Sequence, residues 1–202
     1  GLGAKGSFER SYRLVEPQEI FGDGVAVTSN MNLKPETSNN VNVGLYYSHH
    51  WGAHAFRAEG AGYIRDTKDF IYTVPNLYNS TFKYENLSNI FTKGLEGELS
   101  YQYKRLLNVL MNISYNKAYD NTKFANNNEE VISATYKKDV PNQPWLFGNV
   151  NVSLGKDDWL QKDSRVELYY GLQMTEWFYK NWQSYGNPRN IPVIPRQTLH
   201  NI

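Results

Sequence analysis

The 202-residue sequence contains no cysteine. A disulfide framework, a thiolate zinc site and a cysteine nucleophile are therefore excluded, and the chain suits passage through an oxidising periplasm. It also lacks any apolar run approaching the ~20 residues of a transmembrane helix, and its mean hydropathy is −0.64. A helical membrane protein is thereby excluded. A transmembrane β-barrel is not, because its strands alternate apolar and polar residues and average out as hydrophilic. Neither charge dominates: 21 basic and 20 acidic residues are interspersed, for a net charge of +1. That argues against nucleic acid as a partner, which calls for a basic excess or stripe. The G-x-S-x-G, H-E-x-x-H, P-loop and dinucleotide fingerprints are missing, so neither an enzyme nor a cofactor is expected. The opening GLGAKGSF has no apolar centre of a signal peptide, and the closing RQTLHNI reads as a strand begun. The expectation is one partial domain over residues 1–202, cut at both ends.

What the sequence has in abundance is aromatic. Tyrosine occurs 16 times, aromatics make up 15% of the chain, and Asn is scattered throughout. Rings at a membrane surface would explain this composition, and so would a soluble β-sandwich. The dominant pattern is period two. Val41, Val43 and Leu45 alternate with Asn40, Asn42 and Gly44. Phe56, Ala58, Gly60, Gly62 and Ile64 alternate with Arg57, Glu59, Tyr63 and Arg65. Leu95, Gly97, Leu99 and Tyr101 alternate with Glu96, Glu98 and Ser100, and Leu107 to Tyr115 continue in the same way. Gly148 to Leu154 and Val166 to Met174 repeat it, the latter against Arg165, Glu167 and Tyr169, and Ala4 to Leu14 carries a weaker version. About seven strands and the start of another follow, each with an apolar stretch of ~9–11 residues, long enough to cross a bilayer when tilted.

The connections alternate as well. Short ones fall near 50–54, 103–106 and 156–163; long ones fall at 15–37, 73–82, 119–144 and 179–195, with a helical turn expected at 16–21. An all-β, antiparallel up-and-down meander with short turns at one end and long loops at the other is the topology of an outer-membrane barrel. Trp51, Tyr101, Tyr103 and Trp159 gather at the short-turn end, and Tyr12, Tyr72, Tyr115, Tyr119 and Trp177 at the other, as two girdles would require.

Particular phrases then narrow the class. Arg13-Leu-Val-Glu16 is followed by Asn32-Leu-Lys-Pro-Glu-Thr-Ser-Asn39 and by the polar–Gly pattern of Asn40-Val-Asn-Val-Gly44. Further on come Tyr84-Glu-Asn86, Gly94-Leu-Glu-Gly-Glu98 and Val140-Pro-Asn-Gln-Pro144. In order and spacing these resemble the C-terminal part of the β-barrel of TonB-dependent receptors. The resemblance implies a segment of a barrel of about twenty-two strands, sited in the bacterial outer membrane, with lipid around it. It also implies a plug domain outside this sequence that contacts TonB, and a bulky, scarce nutrient such as an iron–siderophore complex as ligand. At the corner, Pro35 fixes φ, and Glu36 through Ser38 offer acceptors to free amides as the chain enters a strand.

Recognition belongs to the long loops, which carry Tyr78, Phe82, Phe124, Tyr136, Trp177, Phe178, Tyr179, Trp182 and Tyr185. Such rings stack on a ligand or simply pack the loops. Arg57, Glu59, Arg65, Glu96, Glu98, Arg165 and Glu167 are expected to face the lumen as cross-strand charge pairs and plug contacts rather than as acid–base catalysts. His49, His50 and His54 have metal-like spacing, but the pleat sends His49 and His50 to opposite faces, so no metal site is expected. Two rivals stay open: a soluble β-sandwich binding module, perhaps for carbohydrate, and a plain porin-like barrel.

Overall fold

The computed structural model describes residues 1–76, 80–124, 131–184 and 191–202. In chain order the elements are β1 (Leu2–Arg13), α1 (Pro17–Phe21), β2 (Val27–Thr28), β3 (Glu36–Trp51), β4 (His54–Asn76) and β5 (Thr81–Tyr103). They continue with β6 (Leu107–Asp120), β7 (Leu146–Asp157), β8 (Arg165–Thr175), β9 (Phe178–Tyr179), β10 (Val193–Ile194) and β11 (Gln197–Asn201). Eight of these strands lie side by side in the order β1-β3-β4-β5-β6-β7-β8-β11, each antiparallel to the next. Strands that follow one another along the chain through hairpins need no crossover, which is why the antiparallel meander results. The β3–β4 hairpin turns through Gly52, at φ 57°, so that Trp51 pairs with His54.

Register keeps the two faces separate across every pair. Val41 opposes Ile64, Leu99 opposes Met111, and Val150 opposes Leu172 on one face; Asn40 opposes Arg65, Glu98 opposes Asn112, and Asn149 opposes Gln173 on the other. A slip of one residue anywhere would exchange the faces. Among the described residues no second layer covers the apolar face: Leu45, Leu95, Ile113 and Leu168 are all more than half exposed. The second sheet among the described residues is the two-stranded β9–β10 pair. A soluble β-sandwich buries its apolar face against another sheet, so this arrangement overturns that rival.

Two features differ from expectation. Residues 73–82 are not a long loop: pairing of β4 with β5 runs on through Val74–Lys83 to Asn76–Thr81, making each strand 23 residues long. Ladder hydrogen bonds need only extended backbone, so they continue beyond the stretch whose side chains alternate. Asp69, at φ 54°, marks the change, just past the last β3–β4 pair at Lys68. The second feature is β2, which pairs in parallel with β5 at Phe82 and Lys83, beyond the point where β6 ends. The 14–35 connection thus reaches past β4 to strap the extension.

Candidate functional site

On the polar face, Lys5 of β1 ion-pairs with Glu59 of β4, and Arg57 approaches the same carboxylate at 3.3 Å. Arg65 donates from Nε to Asn40 at 2.9 Å, and Asn40 in turn donates to Ser11 at 3.2 Å. The Tyr63 ring lies over Gly94, its cross-strand partner, and its hydroxyl donates to Asn116 at 3.3 Å. Glu96 and Glu98 stand on this face beside Ala61 and Glu59. Arg165 bridges Asp157 at 3.0 Å and Glu167 at 3.5 Å near the short-turn end. The seven charged residues singled out from the sequence therefore share one face, with Lys5 added to them. Toward the long-loop end this face holds a concavity of about 740 Å³, lined by Arg13, Glu36, Asn40, Tyr63, Arg65 and Glu96 among others.

Above the concavity, the sequence phrases meet in space. Arg13 reaches Glu19 at 2.5 Å and Glu36 at 3.3 Å, joining the Arg-Leu-Val-Glu stretch to the Pro35–Glu36 corner. Glu19 is buried and also accepts from the Glu16 amide at 2.8 Å, half of a capping box that starts α1. Glu36 does act as an acceptor, but for the Ile71 amide of β4 at 2.9 Å rather than for an amide of its own turn. Asn86 of the Tyr84-Glu-Asn86 phrase behaves like a piece of backbone. It donates to the carbonyls of Lys34 at 2.9 Å and Asp69 at 2.7 Å and accepts from the Lys34 amide at 2.8 Å. The strap is closed further by Asp23, whose carboxylate accepts from the amides of Val27, Ala26 and Val25 at 2.7–2.9 Å. Those amides hold its pKa below the usual carboxylate value, the Val27 bond contributing most.

The loop aromatics separate into two groups. Trp182 is buried, 4% exposed, in a cluster with Ile90, Ala118 and Val140, against which Phe70, Tyr72 and Leu87 pack. In this arrangement it anchors loops, and contact with a ligand would require the cluster to open. Tyr72 belongs here, edge-on to Trp182 at 5.7 Å, and not to a girdle. Trp177 is exposed and meets half-buried Tyr179 edge-on at 5.3 Å, beside half-buried Phe178. Tyr136 is half-buried under the Lys137 ammonium. Phe82 sits in β5, and Phe124 bridges to Ile132. Tyr78 and Tyr185 lie outside the described residues. A residue that the pattern reading overlooked is Asp120, 1% exposed, which accepts from Thr135 at 2.6 Å and from the Thr122 amide at 2.8 Å and so ties both residues to the end of β6. Its signal was weak, since it simply ends an alternating strand.

At the short-turn end the outward face carries a ladder of rings: Tyr47, His49, Trp51 and His54, with centroids 5.3–6.2 Å apart, then Tyr103 at 4.5 Å from His54. His49 and His54 are rungs of this ladder, His54 exchanging a 2.8 Å hydrogen bond with the Tyr101 hydroxyl, while His50 alternates to the other face.

A single meander with one uncovered apolar face, one polar face and an aromatic rim is a stretch of transmembrane β-barrel wall. The family model for TonB dependent receptor-like β-barrels matches residues 1–202, and the chain belongs to that family. Members of the family are transporters, not enzymes. Among solved structures, the chain is similar to the copper transporter OprC, with a TM-score of 0.67 at 13% identity over 98% of this chain and 28% of that one. It is also similar to the siderophore receptor PirA from Acinetobacter baumannii, with a TM-score of 0.61 at 14% identity over 98% and 32% of the two chains. The Serratia marcescens hemophore receptor HasR gives a TM-score of 0.56 at 14% identity over 98% and 36%. The chain thus spans about a third of the length of these relatives. No curated protein matches it.

Proposed function

We propose that this chain is a contiguous piece of the barrel wall of a bacterial outer-membrane importer that takes up a bulky, scarce nutrient such as an iron–siderophore complex. Uptake is driven by TonB through a plug domain that lies outside this sequence, and lipid of the outer membrane surrounds the apolar face. The observation that carries this reading is the unbroken meander with its uncovered apolar face, in a chain matched along its whole length by the receptor barrel family. The similar structures include a copper transporter, a siderophore receptor and a hemophore receptor, which supports metal-chelate cargo as a class. The polar face serves as lumen. There Arg57, Glu59, Arg65, Glu96, Glu98, Arg165 and Glu167 offer charge to a plug or passing ligand, while Tyr136, Trp177, Phe178 and Tyr179 contact the ligand from the loops. Binding that differs between two plug states, rather than chemistry, drives release.

The test is uptake of radiolabelled ferric siderophores by cells carrying or lacking the parent gene, with and without TonB. Import is expected to vanish without either one. Import that persists without TonB would replace this reading with the porin-like one. Replacing Trp177 and Tyr179 by Ala together should weaken ligand binding without changing the amount of receptor in the membrane.

A further inference from the structure

The outward face changes character toward the long-loop end. Cross-strand register sets Phe8, Val41, Ile64, Lys93 and Lys117 in one row, and Arg10, Asn39, Asp66, Phe91 and Tyr119 in the next. Lys68 opposes Thr37 one row further out. Arg10, Lys68, Lys93 and Lys117 are all exposed. Among the described residues, the carboxylates facing this band are Asp66, within the second row, and Asp139, which bridges to Tyr119 and lies 3.8 Å from Lys117. The Lys137 ammonium adds further positive charge, 4.6 Å over the Tyr119 ring.

Lys93 and Lys117 are direct cross-strand partners. Like charges directly opposite one another destabilise a sheet, and an anion between them removes that cost. Their depth fits a headgroup. The ten steps from Tyr103, a ring of the ladder, to Lys93 rise about 33 Å along the strand. At the ~40° tilt of barrel strands this is about 25 Å along the membrane normal, the height of the apolar band. The rim at the other end of the band is built of rings instead, Tyr47, His49, Trp51, His54 and Tyr103.

We propose that the band of Arg10, Lys68, Lys93 and Lys117 binds the phosphate of an anionic lipid headgroup in the outer leaflet, with Lys93 and Lys117 closing on one phosphate. The inference rests on the outer-membrane reading given above. Positive side chains at this level match lipid phosphate by charge, and the apolar rows beneath them match its acyl chains.

The experiment uses the full-length receptor, purified in detergent, with lipid A and with the same lipid stripped of its phosphates. Wild type is expected to prefer the phosphorylated form. Each lysine at an anionic surface is worth about fivefold in affinity, and Lys117 is shared with Asp139. The Lys93→Gln/Lys117→Gln variant should therefore lose about tenfold toward the phosphorylated lipid, and nothing toward the stripped one. Lys156→Gln, at the opposite rim, should bind as wild type does. Correct folding of each variant is read from heat-modifiable migration in gels. Equal affinity of folded wild type and double variant for the phosphorylated lipid would overturn the proposal. So would displacement of that lipid by millimolar inorganic phosphate, which would identify a free-phosphate site. Fractionation separates the two levels of failure. A receptor absent from the outer membrane overturns the barrel reading and this one with it, whereas a receptor present there with unchanged affinity overturns this one alone.

Discussion

Replacing Asn86 by Ala should release the 14–35 strap from β5 while leaving the barrel wall intact. The Asn86 side chain makes three hydrogen bonds, two to Lys34 backbone groups and one to the Asp69 carbonyl, at 2.7–2.9 Å. A neutral hydrogen bond contributes about 0.5–1.5 kcal/mol net. Only the two bonds to Lys34 tie the strap, and water can reach Lys34 once the side chain is gone, so the lower half of their summed range applies, about 1–2 kcal/mol. That corresponds to a rise of about 5- to 30-fold in the population of the detached strap. The reporters are specific. The Phe82 amide donates to the Ala26 carbonyl at 2.7 Å, and the Lys34 amide donates to Asn86 itself. Hydrogen exchange of the receptor should show protection at Phe82 falling by that factor, while amides of the β3–β4 and β6–β7 ladders stay unchanged. Asn86→Asp, which keeps an acceptor but loses the amide donor, should lie between. Wild-type protection at Phe82 and Lys34 in Asn86→Ala would refute the claim that this side chain holds the strap.

Three further outcomes are expected. In Gly94→Ala the new Cβ would fall 2.5 Å from the Tyr63 ring and 2.6 Å from the Tyr115 carbonyl oxygen. The ring can swing aside but the carbonyl cannot, so a loss of about 1–3 kcal/mol should appear in urea unfolding, and Tyr63→Ala should fail to restore it. Leu99→Arg places charge on the uncovered face near the middle of the apolar band and should cost about 2–4 kcal/mol of folding into vesicles. The neighbouring Ser100→Arg, on the polar face, should cost little; equal costs for the two would show that the faces are wrongly assigned. Asp23 supports the strap only as a carboxylate. Because its folded pKa lies below the unfolded value, the support is complete above the ordinary carboxylate pKa and is lost as pH falls through the lower, folded one. Proteolysis within the strap should therefore accelerate only in strong acid, and Asp23→Asn should show a raised rate already at neutral pH.

How much of this was legible beforehand follows from what periodicity encodes. Alternation at Val41–Leu45, Phe56–Ile64, Leu95–Tyr101 and Leu107–Tyr115 determined which residues share a face, because the pleat has period two whatever the neighbours are. The short–long rhythm of connections determined that consecutive strands are neighbours, and the Asn32–Asn39 and Tyr84–Asn86 phrases carried the family. None of these signals reports how far a strand runs once its pattern fades. The faded pattern of residues 73–82 therefore predicts a loop, whereas the register continues the β4–β5 ladder to Asn76 and Thr81. Nor do they report contacts between segments distant in sequence. The parallel docking of β2 on β5, the meeting of Arg13 with Glu36, the three bonds of Asn86 and the burial of Trp182 are each set by packing at the long-loop end. Trp182 shows the difference most plainly. An aromatic in a loop stabilises the protein either by packing or by binding, and only the tertiary neighbours Ile90, Ala118 and Val140 decide which. The sequence alone determined which residues share each face of the meander, since that follows from local alternation; the tertiary structure decided that the apolar face stays uncovered, as a barrel wall requires, and which residues of its outer end hold the loops and which remain open to a ligand.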